Sequence, residues 1–449
     1  MKMNEHMELV READESIPAR QDRLPVTRLH LVVLVVCGLG LALDLMEIGF
    51  GGVLATIFGA PNQQLANRSL PYLLSSIYAG AIIGAPAAGV LADRWGRQKT
   101  LMVLLWLLVA AGAFAAASPG IEWLITARFL TGIAVGAYQP VMLTYMTDLL
   151  PPLQRGMLFF SMTALALLGI PAATFIVRYL TPIQPFGIEA WRCGLWCAAL
   201  VTIIPAVLFL WMPESPRWLA ARGHVREAES AMARFERSRG ASAISQRYEA
   251  ALATKAPAAG SAARRLRYLA AILFFLMPWS TVAFPILTGA LLVGKGFKLS
   301  DALLYVGLST FGPVLGTLVA AYGIDRVPRR VSMAICALIM LAAGYTFAIS
   351  MTPGWLVGVS VLFTLASALY VPILSLYSAE LFATQIRARA MSIAWAFNRA
   401  GAAIAPLVLV PLLRSGGTTA MYLVIGGTLV LSVVLLAASI PGRQRLPVF

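Results

Sequence analysis

The chain is short of charge. Of its 449 residues only 12% are Asp, Glu, Lys or Arg, against 59% hydrophobic residues and a mean hydropathy of +0.79. Soluble domains carry about twice that charged share, so a water-soluble enzyme or binding module is excluded first. Histidine is scarce too: His6, His30 and His224 stand far apart. The four cysteines, Cys37, Cys193, Cys197 and Cys336, offer one i,i+4 pair, which suits a disulfide badly. Neither residue type has the spacing of a metal set, so no metal and no cofactor is expected. A plausible Ser/His/acid set is also missing, which argues against a membrane enzyme. Residues 1–28 lack the short apolar core of a cleaved signal peptide and read as a loose tail.

What is present is apolar length. A bilayer core needs about 20 mostly apolar residues per spanning helix. Twelve runs meet that length, at 29–58, 70–92, 99–118, 121–148, 156–180, 190–212, 266–294, 300–323, 331–350, 354–381, 388–413 and 418–440. The expected fold is therefore an all-α polytopic membrane protein with twelve transmembrane helices. Two six-helix bundles, residues 29–212 and 266–440, flank a polar central loop, 213–265, with tails at 1–28 and 441–449. Within the loop, "HVREAESAMARFERSR" suggests a helix lying on the membrane surface. The net charge of +15 does not imply a nucleic-acid partner, because most Lys and Arg fall on the side shared by the two tails and the central loop. The positive-inside rule places that side, and so both termini, in the cytoplasm. The short outer loop at 60–69 fits a bacterial inner membrane, and the chain is expected to act there as a monomer.

The two halves repeat. "GVLADRWGRQK" closes the second run and "AYGIDRVPRR" the eighth, with Asp325 following Asp93 by 232 positions. "YMTDLLPPLQRG" and "YSAELFATQIRA" share their acid and Arg spacing, and Glu380 follows Asp148 by the same 232. Gly84 and Gly316, Tyr138 and Tyr370, and Pro140 and Pro372 keep that offset. Apolar runs align with one another cheaply, whereas polar residues and prolines agreeing on one offset do not. Two parallel repeats predict a transporter with its site between them near the midplane.

These residues also carry a family resemblance. Gly89-x-Leu91-Ala92-Asp93-Arg94-x-Gly96-Arg97 resembles the loop signature of the major facilitator superfamily. "RFLTGIAVG", "YMTDLLPPLQRG" and "PESPRWL" are similar to its sugar-porter branch, and "LDLMEI" to its aromatic-acid:proton symporters and synaptic-vesicle-protein-like branch. The resemblance spans essentially the whole chain and implies alternating access. It further implies that Gly89, Asp93, Arg97, Asp148, Arg155, Glu214, Arg217, Asp325, Arg329, Glu380 and Arg387 form a cytoplasmic gate that latches the halves. Asp148 stands where the family usually has Glu, and Pro328 where the second-half signature has Gly; neither removes a charge. Gly89 and Gly96 are expected to permit close helix approach and a tight turn. Helix anchoring alone is the plainer reading of all these charges.

A charge at mid-bilayer costs about 2.5–3.5 kcal/mol, so Asp44, Glu47, Arg128 and Arg399 need explaining. Asp44 and Glu47, three apart, share a helical face. They lie about 22 and 27 Å along the first run, and Arg128 about 10 Å in from the outer end of the fourth. A carboxylate whose distance to a cation changes as the halves rock changes its proton affinity. In related symporters an acid of the first helix pairs with the Arg of the fourth. That resemblance makes Glu47, tuned by Asp44 and paired with Arg128, the expected proton carrier.

Arg399, about 16 Å into the eleventh run beside Asn398, is expected to bind an anionic substrate through its planar fork; an internal salt bridge is the alternative. Hydroxyl-rich cargo calls for several amides, yet Asn398 and Gln139 are almost the only ones in the runs. Aromatic residues are plentiful: Tyr138, Trp279, Tyr370 and Trp395, with Tyr78, Phe284 and Phe397, could line a flat slot. The expected function is proton-coupled import of a small organic anion, an aromatic or other carboxylic acid. Sugar:proton symport, proton-coupled efflux of drugs or metabolites, and a non-transporting receptor are the alternatives. "LLGIPAA" in the fifth run, in place of the Gly-Pro-x-x-Gly-Gly of antiporters, favours import over efflux.

Overall fold

Apolar runs in this chain become helices, and nearly all of the described residues are helical. The computed structural model describes residues 16–60, 64–238, 261–323, 327–381 and 384–438. In order the helices are α1 (Ile17–Arg23), α2 (Arg28–Phe58), α3 (Gln64–Trp95), α4 (Arg97–Ala117), α5 (Ile121–Leu149), α6 (Pro152–Ala166), α7 (Gly169–Leu180), α8 (Ala190–Leu208), α9 (Pro216–Ala221), α10 (Val225–Arg237), α11 (Ser261–Thr281), α12 (Ala283–Gly294), α13 (Leu299–Ser309), α14 (Gly312–Gly323), α15 (Arg329–Ile349), α16 (Pro353–Leu381) and α17 (Thr384–Ala437). Among the described residues, ten helical stretches are long and apolar enough to cross a membrane. The 29-residue α5, dotted with Glu122, Arg128, Gln139 and Asp148, is not among them, and α17 is two helices run together across Gly417, where φ is +70°. Counting α5, and dividing α17 at Gly417, gives the expected twelve.

Three of those spans are each built of two pieces. The fifth breaks between α6 and α7, where a Cβ on Gly169 would lie 1.9 Å from the Ala42 carbonyl oxygen, so α7 starts directly on the α2 backbone. The seventh breaks at Val282, after Pro278, whose ring removes a helix donor. The eighth breaks between Ser309 and Gly312.

Small residues set the packing inside each half. In α3, a Cβ on Gly80 would lie 2.1 Å from the Phe129 carbonyl, and one on Gly84 2.1 Å from that of Ile133 on α5. In α14, a Cβ on Gly312 would lie 2.7 Å from the Val361 carbonyl, and one on Gly316 2.8 Å from that of Leu365 on α16. Every partner in the second set follows its counterpart by 232 positions, so the internal repeat is a repeat of backbone contacts. Lipid tails are as apolar as Leu, which leaves close packing to hold such helices together. Helix ends repeat as well. Arg192 donates to the carbonyls of Ala116 (3.0 Å) and Ser118 (2.6 Å), and Lys295 to those of Ala348 (2.9 Å) and Ser350 (2.7 Å). A cation thus caps the C-terminus of α4 and, 232 positions on, of α15, satisfying carbonyls that a helix end leaves open.

The halves meet through α2 with α12, α3 with α17, and α7 with α13. Thr56 fits against Gly289, Gly59 against Ala290, and Phe175 across Gly307, while Arg178 donates to the Ser300 carbonyl at 3.2 Å. These contacts lie at the membrane end opposite the central loop, so the two bundles are closed there.

The tail differs from its sequence reading. Residues 1–15 lie outside the described residues, but α1 is docked rather than loose: Ile17 and Gln21 are buried, Arg20 pairs with Glu229 and Glu236 at 2.8 Å each, and Asp22 pairs with Arg217. Its partners lie about 200 positions away, beyond any local pattern. The loop helix α10 forms as expected and buries Ala228, Ala231, Met232 and Phe235.

Replacing Gly84 or Gly316 by Leu drives a side chain into a neighbouring backbone. Each is expected to cost about 1–3 kcal/mol, read as a lower midpoint of thermal unfolding in detergent, while Gly354→Leu, where nothing lies within 4 Å, leaves it unchanged.

Candidate transport site

Glu47 lies two-thirds of the way along α2, facing α5. There Arg128 Nη1 donates to Glu47 Oε2 at 2.6 Å and Nη2 to the Glu47 backbone carbonyl at 2.6 Å. The side chains are 1% and 3% exposed, so water screens neither charge. The missing side chain of Gly112 on α4 leaves room for the carboxylate: a Cβ there would sit 3.4 Å from Oε1. Desolvating both charges is offset only because both prongs of the guanidinium are used. α2 and α5 belong to one bundle, so the geometry of this pair is fixed within the first half.

Asp44, one turn earlier on the same face, is fully buried. Its Oδ2 accepts from Gln139 Nε2 at 3.1 Å, while Oδ1 has no hydrogen-bond partner among the described residues. Tyr138, next to Gln139, donates to the Cys37 carbonyl at 3.1 Å, and Gly40 makes space for it, since a Cβ there would lie 2.1 Å from the phenol oxygen. From the second half, Arg399 on α17 lies within electrostatic reach of Asp44 and of Tyr78 on α3. Asn398 explains its direction. Its Nδ2 donates to the Phe274 carbonyl of α11 at 3.2 Å, which pins one face of α17 to its own bundle. One residue on, about 100° round the helix, Arg399 points towards the first half. Tyr78, one of the aromatic residues expected to line the slot, is buried within electrostatic reach of Arg399. Nothing but its polarity in the second run distinguishes it from other buried aromatics.

The aromatic slot does not assemble as expected. Tyr370 is 1% exposed in the core of the second half, and Phe284 packs there against Phe363 and Phe347, with ring centres 4.0 and 5.3 Å away. Trp395 meets Phe274 edge-on at 5.3 Å, and Trp279 lies 6.3 Å from Phe275. The Trp279 indole Nε1 is buried with no partner among the described residues. Asn398 spends its donor on backbone. Aromatic and amide residues therefore mostly build the bundles, and the charged cluster remains as the chemistry between them.

At the central-loop end, Glu214 accepts from the backbone N–H of Arg97 (2.9 Å), Gln98 (3.2 Å) and Ser215 (2.9 Å). It thereby caps the N-terminus of α4, where orphan donors and the helix dipole favour an anion. Burial pushes its carboxyl up, and those three donors work against the shift. Gly96 has φ +99°, and a Cβ there would lie 2.1 Å from Glu214 Oε2, so glycine answers both the backbone and the space. Arg97 pairs with Asp93 at 3.3 Å and Asp148 at 3.5 Å, Ser215 donates to Asp148 at 3.1 Å, and Arg155 donates to the Leu150 carbonyl at 2.9 Å. Arg217 pairs with Asp22. These bonds tie the first half to the loop helices and α1. Gly89, expected to approach another helix closely, faces open space in this conformation. Arg329 opens α15. Asp325 and the side chains of Glu380 and Arg387 lie outside the described residues, and so does any latch they form.

Two buried acids beside two arginines, in repeated bundles closed at one end, are the parts of an alternating-access carrier. The family model described as "Sugar (and other) transporter" matches residues 47–443. The chain belongs to that family, a branch of the major facilitator superfamily.

Relatives and fold agree with the sugar (and other) transporter family. The arabinose-proton symporter of Bacillus subtilis is 29% identical over 87% of this chain and 89% of its own. The niacin transporter NiaP of Acinetobacter baylyi is 26% identical over 87% of this chain and 89% of its own. The structure of the Escherichia coli xylose transporter XylE, in a partially occluded inward-open conformation, superposes with a TM-score of 0.73 at 16% identity, over 93% of this chain and 99% of that one. As a member of this transporter family the protein is a multi-pass carrier rather than an enzyme.

Removing one partner of the Glu47–Arg128 pair strands a buried charge. Glu47→Leu and Arg128→Met are each expected to lose about 3–5 kcal/mol of stability, and the Glu47→Leu/Arg128→Met double variant to recover most of it. A double-mutant cycle of unfolding midpoints in detergent checks this; additive losses would contradict it.

Proposed function

We propose that this protein is a proton-coupled secondary transporter that imports a small organic acid through a site between its two bundles. The observation that carries the reading is the cluster of Asp44, Glu47 and Arg128, buried between α2 and α5, with the partly exposed Arg399 of α17 within electrostatic reach from the second half. Its formal charges cancel. Adding an anion to a neutral, desolvated cluster is unfavourable unless a positive charge enters with it. A proton on one of the carboxylates is that charge. Proton and cargo are therefore taken up together, and the second half brings the cation the cargo needs.

Orientation follows from the distribution of Lys and Arg: both termini and the central loop in the cytoplasm, in a bacterial inner membrane, with the contacts at Thr56 and Gly289 sealing the outer side. The gate residues of the first half then lie on the cytoplasmic side.

A second reading, sugar:proton symport, is supported by the arabinose-proton symporter among the relatives. The scarcity of amides near the cluster weighs against it, and the niacin transporter among the relatives supports an acid. The two readings differ in cargo, not in the coupling chemistry.

Reconstituted into liposomes under an imposed pH gradient, the protein is expected to accumulate a carboxylate from a panel of benzoate, nicotinate, arabinose and xylose. Glu47→Gln is expected to lower proton-driven accumulation by about tenfold or more. Full proton-driven uptake by Glu47→Gln would remove Glu47 from the coupling mechanism, and uptake of the pentoses alone would transfer the assignment to sugar.

A further inference from the structure

The two acids of the cluster are not equivalent. Glu47 and Arg128 are satisfied inside one bundle, with both prongs of the guanidinium on Glu47 at 2.6 Å. Asp44 and Arg399 come from different bundles, and no hydrogen bond or ion pair joins them. Asp44 is 0% exposed, yet its Oδ1 accepts no hydrogen bond among the described residues, while Arg399 is partly exposed and keeps its guanidinium free of any ion pair among them. A buried polar atom without a partner loses its hydration with nothing in return, and a planar guanidinium fork is made for two carboxylate oxygens. The groups facing Asp44 are Gln139 and Tyr138 from α5, Arg399 from α17 and Glu47 on its own helix; Arg399 faces Tyr78 from α3 and Asp44 from α2. Arg399 is the sole cation brought to this place by the second half, and Asp44 the sole unsatisfied anion opposite it, among the described residues.

We propose that Asp44 is the resident counter-ion of Arg399 and the residue that admits the cargo: when Asp44 takes up a proton, the carboxylate of an organic acid replaces it on the Arg399 fork. This rests on the organic-acid reading above and names the residue that selects for it. The step balances. One proton adds to Asp44 and removes its negative charge, one carboxylate arrives with its own, and the cluster stays neutral. Because Asp44 and Arg399 belong to different bundles, rocking alters the distance between them, whereas the Glu47–Arg128 pair moves as a unit. A neutral sugar offers Arg399 no charge and does not need Asp44 to be protonated. Asp44 is thus a specificity-determining residue, acting as a competitor for the place the cargo takes.

The test is equilibrium binding of radiolabelled benzoate and nicotinate to the full-length protein in lipid nanodiscs between about pH 5.5 and 8.5. Wild-type affinity is expected to fall by up to about tenfold per pH unit once Asp44 is ionised, and Asp44→Asn to bind both acids independently of pH and at least about tenfold more tightly than wild type at the alkaline end. Arg399→Gln is expected to lose both acids at every pH. Calorimetry in two buffers of different ionisation heat should count close to one proton taken up per benzoate by the wild type at the alkaline end, and none by Asp44→Asn. An Asp44→Asn protein that keeps the wild-type pH slope, or loses the acids as Arg399→Gln does, overturns the proposal while leaving organic-acid transport standing. If that variant does not remain monodisperse, the wild-type proton count decides, and a count of zero overturns it. A wild type that binds arabinose but neither acid removes the organic-acid reading and this inference with it.

Discussion

Everything about this carrier follows from the cost of charge in a place without water. The Glu47–Arg128 pair is tolerated because each group is wholly spent on the other, and because Gly112 leaves the carboxylate its space. Once that pair is fixed, α2 and α5 have one register, and Asp44, Gln139 and Tyr138 take their places along the same seam. The second half adds one cation to that seam and little else of chemical consequence. A closed electrostatic account in one bundle, left open by a single acid facing the other, is the arrangement from which coupled movement can be built.

Pseudo-symmetry here is a matter of backbone approach. Gly80 and Gly84 do for α3 and α5 what Gly312 and Gly316 do for α14 and α16, and Arg192 and Lys295 close the same helix end with different side chains from different positions. Gln98 and Arg330, again 232 apart, both reach a carbonyl near the end of their half's last helix, on Phe209 and on Leu436. The chemistry breaks the symmetry that the packing keeps: paired acids sit in one bundle and a lone arginine in the other.

How much of this could be read from sequence depended on whether the signal was rare. Four charges within otherwise apolar runs stand out at once, and so does a constant offset between polar residues, because neither has many ways to arise. Helix breaks were harder. Pro278 marks the seventh span, but the break ahead of Gly169 depends on an approach to Ala42 that no local pattern announces. The aromatic slot is hard to read from sequence because an apolar ring looks the same whether it faces a cargo or a core, and Phe284 and Tyr370 face cores. That Arg399 lies by Asp44 required knowing which helices are neighbours, and that α1 is anchored required knowing where Glu229 and Glu236 end up.

The contact between the halves at Thr56, Gly59, Gly289 and Ala290 is made of residues with almost no side chain to interlock. At those four positions the surfaces can part with little side chain to withdraw, although the same side also seats the Phe175 ring over Gly307 and the Arg178 donation to the Ser300 carbonyl. The strength of the seal on that side is therefore set largely by helix backbones meeting, with the Phe175 ring and the Arg178 bond to be released as it opens.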